Sequence, residues 1–219
     1  MLFNTIFETL KTYSNEQKAK EMSRYMKNNF LFLGVQSPIR KKITKPFLAT
    51  LKKDNAIAWE QLIEQCWQNP YRELQYFALD YLGLKKEFLT LADIPKLKDL
   101  ALRKSWWDSI DQLDRIIGGI ALRFPELNHT LLVWSVDDNF WLRRIAIDHQ
   151  LLRKEKTNTD LLEKIIVNNL GQTEFFINKA IGWSLRDYSK TNPEWVRDFI
   201  KRHESKMTKL SVREACKYI

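Results

Sequence analysis

Cysteine is scarce in this chain: Cys66 and Cys216 are the only two in 219 residues, which excludes a disulfide framework and most zinc sites. The three histidines, His129, His149 and His203, are scattered, with no partner at metal-ligand spacing. No GxGxxG or GxxxxGKS/T pattern occurs, so a nucleotide-phosphate loop is absent as well. Six glycines and six prolines are too few for an all-β sandwich built on tight turns. Long apolar runs are missing too. The longest relevant uncharged stretch, Asn28 to Ile39, has 12 residues, against the roughly 18 apolar residues of a spanning helix. The N-terminal MLFNTIFETLKTY lacks the basic-then-apolar layout and the small-residue cleavage site of a secretory signal. These absences predict a cytoplasmic protein without metal or nucleotide cofactor.

What is present is globular in character, with 44% hydrophobic and 29% charged residues. The net charge of +9 is local. From Leu10 to Lys53 there are 11 basic and 2 acidic residues, and the remainder of the chain balances at 25 of each. One reading is a solvated basic face. The other is a polyanion surface, since each Lys or Arg set against a phosphate releases counterions.

Helical periodicity runs from end to end. AWEQLIEQCW (Ala58 to Trp67), LLEKIIVNNL (Leu161 to Leu170) and EWVRDFI (Glu194 to Ile200) repeat their apolar positions at three and four. Breakers separate such stretches at Asn69-Pro70, Gly83, Phe124-Pro125, Gly171 and Asn192-Pro193. Sliding the chain against itself then exposes a period of 34. The segments RELQYFALDY, WWDSIDQLDR, FWLRRIAIDH and EFFINKAIGW begin at Arg72, Trp106, Phe140 and Glu174, and KLSVREACKY follows at Lys209. Alanine fills one column in four of the five (Ala78, Ala146, Ala180, Ala215), with Gln112 the exception. The next column is apolar throughout: Leu79, Leu113, Ile147, Ile181 and Cys216. A small residue at a fixed repeat lets neighbouring helices approach closely, as stacked helix pairs require. The fold predicted is all-α, a right-handed α-solenoid of about six helix pairs. It would form one domain over residues 1–219, with a basic helical part to about 57 and clear repeats over about 58–219.

In such a solenoid one helix of each pair lines a concave surface. The column headed by Glu73 carries Trp107, Trp141 and Phe175, one aromatic per repeat, and predicts a ligand-facing cleft. Trp106, Trp134 and Trp195 read instead as core. Within SWWDSIDQLD, Trp107 and Asp111 are four apart and share a helix face. Asp108 suits a helix start behind a Ser105 N-cap. Asp111 beside the aromatic column suits that role less well, so it is the catalytic candidate. Arg144, three residues after Trp141, is a salt-bridge partner of Asp111, a phosphate ligand, or both. Phe175 and Trp183 lie eight apart on one face, followed by Arg186.

The stretches SWWDSID, FWLRR, EFFINKAIGWSLRDYSKTNP and RYMKNNFLFLGVQSP resemble the AlkD-like family of DNA alkylation repair enzymes. These are HEAT-like-repeat DNA glycosylases acting on alkylated purines. The resemblance runs from about Lys18 to the end of the chain, and the EFFINKAIGW block is its most specific part. It implies that Trp107 and Trp183 pack against the deoxyribose and backbone of a damaged nucleotide. Asp111 would be the catalytic acid and Arg144 a backbone-anchoring arginine. Phe175 and Phe176 would be an aromatic pair at the cleft edge; Trp141, from the aromatic column, and Arg186, from its place after Trp183, are DNA-binding candidates by their spacing alone. Tyr25 would approach the minor groove, and Ser37, Lys41 and the adjacent Lys42 would contact phosphates. The link between the Asp111 and Arg144 helices is slightly shorter than in the best-known members, which bears on substrate range.

By this resemblance the chain is a base-excision hydrolase, active as a monomer on duplex DNA carrying cationic N3- or N7-alkyl purines. No metal, no cofactor and no membrane enter the scheme. The competing class is a non-catalytic helical-repeat scaffold that binds nucleic acid or protein, because fold alone does not license function.

Overall fold

The computed structural model describes residues 2–54 and 56–219. Those residues form thirteen α-helices with short 3-10 turns and no strand, only one isolated bridge between Leu31 and Tyr71. The all-α expectation holds. The chain divides into two compact units, residues 1–88 and 89–219, each built around its own core.

The first unit contains α1 (Leu2–Thr12), α2 (Glu16–Tyr25), α3 (Ser37–Lys52), α4 (Gln65–Gln68) and α5 (Arg72–Leu84). Here α3 packs against both α1 and α5. The periodic stretch at Ala58 to Trp67 is not one α-helix. Trp59–Glu64 is a π-helical turn, with Ile63 N–H reaching back five residues to the Ala58 carbonyl, and it runs into α4. Gly83 does not break α5, which continues to Leu84. Glu73 heads the aromatic column but is fully buried. Its carboxylate accepts the backbone N–H groups of Leu33 (3.0 Å), Gly34 (2.9 Å) and Val35 (3.0 Å), tying the α2–α3 connection to α5. Gly34 sits at φ +85°, and a Cβ there would fall 2.1 Å from the Asn15 carbonyl oxygen, so only glycine fits.

The second unit is a run of helix pairs: α6 (Ile94–Leu102) and α7 (Trp107–Arg123), α8 (Leu127–Trp134) and α9 (Phe140–Asp148), α10 (Thr159–Val167) and α11 (Phe175–Ser189), α12 (Pro193–His203) and α13 (Lys209–Ala215). The second helices stack in chain order, α7 on α9, α9 on α11, α11 on α13, while α6 and α8 pack against α7 and α9. With α5 they begin at residues 72, 107, 140, 175 and 209, the 34-residue period seen in the sequence. Side-chain caps fix several of these starts: Asn139 accepts from Trp141 N–H, Glu174 from Phe176 N–H, Thr208 from Ser211 N–H. Ser105 is not such a cap. The helix starts one residue later than expected, Trp106 stands at the cap position, and the Ser105 hydroxyl donates instead to the Ala101 carbonyl.

The repeat alignment has a direct physical counterpart. Ala78, Ala146, Ala180 and Ala215 are all fully buried, as are Leu113, Ile147 and Ile181 in the next column. Cys216 departs from the pattern and is exposed, because α13 gives way to a 3-10 turn at that residue. Two adjacent glycines show how close the stacking is. A Cβ on Gly118 would lie 2.0 Å from the His149 carbonyl oxygen, whereas one on Gly119 would meet nothing within 4 Å. Gly118→Ala is therefore expected to destabilise by about 1–3 kcal/mol, as overpacking does. Gly119→Ala should stabilise by about 0.5–1 kcal/mol through helix propensity. Urea unfolding of the two single variants checks the pair, and equal effects would refute the close approach.

Candidate functional site

Of the residues singled out on α7, α9 and α11, Asp111, Arg144, Phe176 and Trp183 meet in the second unit. Arg144 on α9 is the centre. Its Nε (2.9 Å) and Nη2 (2.8 Å) both donate to Oδ1 of Asp111 on α7, and its Nη1 donates to the Phe176 carbonyl on α11 (2.7 Å). One guanidinium thus ties three consecutive repeats together. Arg144 is 1% exposed and most of its donor edge is used, so the salt-bridge role with Asp111 is present in the structure.

Asp111 is held by one oxygen only. Both Arg144 bonds end on Oδ1, no hydrogen bond reaches Oδ2 among the described residues, and the side chain keeps 19% of its surface open. Burial pushes its carboxyl above the ordinary aspartate range, while the Arg144 charge and hydrogen bonds pull it back. The outcome is an oriented carboxylate with one oxygen facing outward.

Behind it lie Asp114, which SWWDSIDQLD spaces within a turn of Asp111, and Asp148, which sequence reasoning passed over. One oxygen from each of Asp111, Asp114 and Asp148 lies within 4.8 Å of the others, and Arg144 Nη2 stands 3.7 Å from Asp148 Oδ2. Burial raises the Asp114 carboxyl well above its usual range, with repulsion from Asp148 adding to it. Burial likewise pushes Asp148 up, to about 7, against the pull of Arg144. Such a cluster has the donor chemistry of a cation site. The cation that the structure puts beside it is the Arg144 guanidinium. The signal for these residues was in the repeat register, where Asp80, Asp114 and Asp148 occupy one column.

Trp183, half-buried on α11, has three cations around its ring: Arg144 at 5.4 Å, Lys179 at 5.7 Å and Arg186 at 5.7 Å from the centroid. Lys179 and Arg186 are themselves paired, both 2.8 Å from the buried Glu214 on α13, which Lys217 also meets at 2.9 Å. These bonds, that from Lys179 foremost, hold the Glu214 carboxyl down at about 2. Gly182 makes this possible, since a Cβ there would lie 2.5 Å from Glu214 Cβ. Arg186 is therefore an anchored residue beside Trp183 rather than a free arm.

The aromatic column is corrected by the structure. Trp107 is half-buried at the first turn of α7 and Phe175 is exposed at the first turn of α11, but Trp141 is buried. Its ring packs against Phe140 (4.6 Å), Phe176 (4.9 Å) and Trp106 (5.9 Å), closing a four-ring cluster. Equal spacing in sequence placed Trp141 in the cleft. Its ring neighbours bury it to 6% exposure. Phe176 serves the same cluster and lends its carbonyl to Arg144.

The remaining candidates lie in the first unit. Tyr25 is 70% exposed at the end of α2, beside a cavity lined by Met22, Phe32, Gln36 and Tyr76. Ser37 opens α3, whose first turn receives no side-chain cap. Lys41 and Lys42 are exposed on α3 with no acidic partner among the described residues. Arg40 differs, being buried against Asp80 and over the Tyr76 ring. Among the described residues no helix is long and apolar enough to cross a membrane.

Comparison with known proteins gives a consistent picture. The family model described as "DNA alkylation repair enzyme" matches residues 6–219. A solved structure described as a "predicted DNA alkylation repair enzyme" from Enterococcus faecalis is 38% identical, covers 94% of this chain and 96% of its own, and superposes with a TM-score of 0.86. Two Streptococcus mutans structures share the fold alone. The smu.31 protein is 18% identical with a TM-score of 0.59, covering 82% of this chain and 97% of its own. AlkD2 is 16% identical with a TM-score of 0.56, covering 80% and 99%. No protein with a curated description matches the chain.

The brace makes a prediction independent of any activity. Arg144→Met leaves buried carboxylates without their cation, and should cost about 3–5 kcal/mol of stability. The folded-state pKa values of these aspartates then rise further above their unfolded values. Stability carried by their protonated forms is present at low pH and lost as pH rises through the folded pKa. The deficit should therefore shrink towards pH 5 and widen towards pH 8. Denaturant unfolding of wild type and variant across that range measures it.

Proposed function

The chain belongs to the DNA alkylation repair enzyme family, and from that premise we propose a metal-independent DNA glycosylase. Its substrate would be duplex DNA carrying N3- or N7-alkylated purines, met by a monomer in the bacterial-type cytosol. The observation that carries this reading is the Asp111–Arg144 pair: one carboxylate oxygen clamped by two hydrogen bonds, the other open.

Alkylation at N3 or N7 makes the purine cationic and hence a good leaving group. As the N-glycosidic bond breaks, positive charge moves onto the sugar. A fixed carboxylate aimed at developing charge is worth most where it need not reorganise. The Arg144 bonds to Oδ1 supply that fixity, and Oδ2 would face the sugar or orient the attacking water. The faces of Trp107 and Trp183 would add stabilisation of about 0.5–2 kcal/mol each through their quadrupoles. The charges of Arg144, Lys179 and Arg186 around Trp183 support a backbone phosphate nearby. Phe175 and Phe176 fit the edge of such a cleft. Tyr25, Ser37, Lys41 and Lys42 would hold DNA through its backbone, which accounts for a basic segment from Leu10 to Lys53.

Asp111→Asn keeps the shape and removes the charge. The variant is expected to fold and to bind DNA, with excision of 7-methylguanine or 3-methyladenine from a duplex reduced roughly 10²–10³-fold. Because a cationic base departs readily by itself, the loss should be smaller for these lesions than for a neutral one. Equal single-turnover rates would remove Asp111 from the chemistry, and binding without any excision by the wild type would favour a scaffold. Charge reversal at both Lys41 and Lys42 should weaken DNA binding and reduce the log–log salt slope by about 0.9 per lost phosphate contact. An unchanged slope would place DNA elsewhere.

A further inference from the structure

Asp114 and Asp148 do no work in the mechanism above, yet they are among the most deeply buried charged side chains of the second unit. Both are 1% exposed, one oxygen of each lies within 4.8 Å of the other, and neither oxygen of either carboxyl has a hydrogen-bond partner among the described residues. Their surroundings supply little positive charge. Arg144 is shared with Asp111, and the exposed Arg115 on α7 is the other cation acting on the pair. The remaining charges that face them, Asp111 on α7 and Asp187 on α11, are negative. Asp187 is turned to the Leu152 N–H, and Asp108 acts on Asp111 from the first turn of α7. Asp148 is also the last residue of α9, where the helix end disfavours a negative charge. Two ionised carboxylates this close and this dry would each lack compensation.

We propose that Asp114 and Asp148 share a single proton and, by keeping Arg144 from being drawn off Asp111, act as positioning residues for the open Asp111 oxygen. The shared proton leaves one negative charge on the pair instead of two. Nη2 of Arg144, 2.8 Å from Asp111 and 3.7 Å from Asp148, then stays with Asp111. Loss of that proton restores a full second charge behind the guanidinium, which competes with Asp111 for the same N–H edge. The pair therefore titrates as a unit. Its upper transition lies well above the ordinary carboxyl range, in line with the upward displacement of both Asp114 and Asp148. Only the effect on excision rests on the glycosylase reading; the shared proton does not.

Carbon-13 NMR of aspartate-labelled full-length protein, titrated from pH 4 to 9, tests the proton directly. The expected result is one carboxyl transition well above the ordinary range of about 4. The Arg144 Nε–H resonance should move with the same midpoint. Asp148→Asn and Asp114→Asn should each lower that transition, since the repulsion between the two carboxyls is removed and the amide can donate to the remaining carboxylate, while burial still holds it above the ordinary range. If excision is measurable, wild-type kcat should fall above the same midpoint while KM is unchanged, and Asp148→Asn should lose that alkaline limb. Ordinary titration of every aspartate in the wild type would overturn the proposal even if both variants fail to fold. So would stoichiometric binding of Mg²⁺ or Mn²⁺ that is lost in Asp148→Asn, because an ion would then stand in place of the proton. A shared proton found together with an Asp111→Asn variant of full activity would leave this proposal standing and remove the glycosylase reading. The converse pair of results would do the opposite.

Discussion

One buried guanidinium organises the second unit. Arg144 reaches from α9 to a carboxylate on α7 and a backbone carbonyl on α11, so three repeats are joined at a single planar group. Arginine suits this task because its fork presents several N–H groups in one plane, which lysine cannot do. The cost of burying that charge is offset by the acids around it, which keep it protonated despite its burial. Once Arg144 is placed, the direction of Asp111 is placed as well. The open oxygen of Asp111 is a consequence of where the guanidinium lies.

The apolar surroundings serve the same end. The rings of Trp106, Phe140, Trp141 and Phe176 pack together beside the brace, and Phe176 is the residue whose carbonyl Arg144 holds. On the other flank, Glu214 fixes Lys179 and Arg186 against Trp183. Both flanks depend on close helix approach. Gly182 admits Glu214, and Gly118 admits the backbone at His149. Glycine in a helix interior costs stability, and here that cost is set against a contact no larger residue permits.

The first unit makes use of a different device. Glu73 is spent on three backbone N–H groups of the α2–α3 connection, although it occupies the column that carries an aromatic in the next three repeats. This connection precedes Ser37, Lys41 and Lys42, so the carboxylate fixes the start of the helix that presents them. A repeat position is thus a place in the architecture and not a role.

Much of the fold was legible in the chain because it rests on periodicity. The 34-residue register, the buried alanines, the helix ends just before Asn69 and Phe124 and the cap of α12 at Asn192 follow from local chemistry that a linear pattern records. The meeting of Asp111 and Arg144 was also legible, since spacing puts them on faces that neighbouring repeats share. Spacing does not report how far each helix is rotated or what fills the space beside it. That is why Trp141 was placed in the cleft when three other rings enclose it, and why the Glu214 partner of Arg186 could not be read from spacing. It is also why Asp114 and Asp148, two ordinary helix acids on paper, went unnoticed as a pair. The sequence by itself determined the repeat, the basic segment and the residue types of the site. Only the tertiary structure decided which charges share a dry space, because burial and distance belong to pairs of helices and not to either strand of sequence alone.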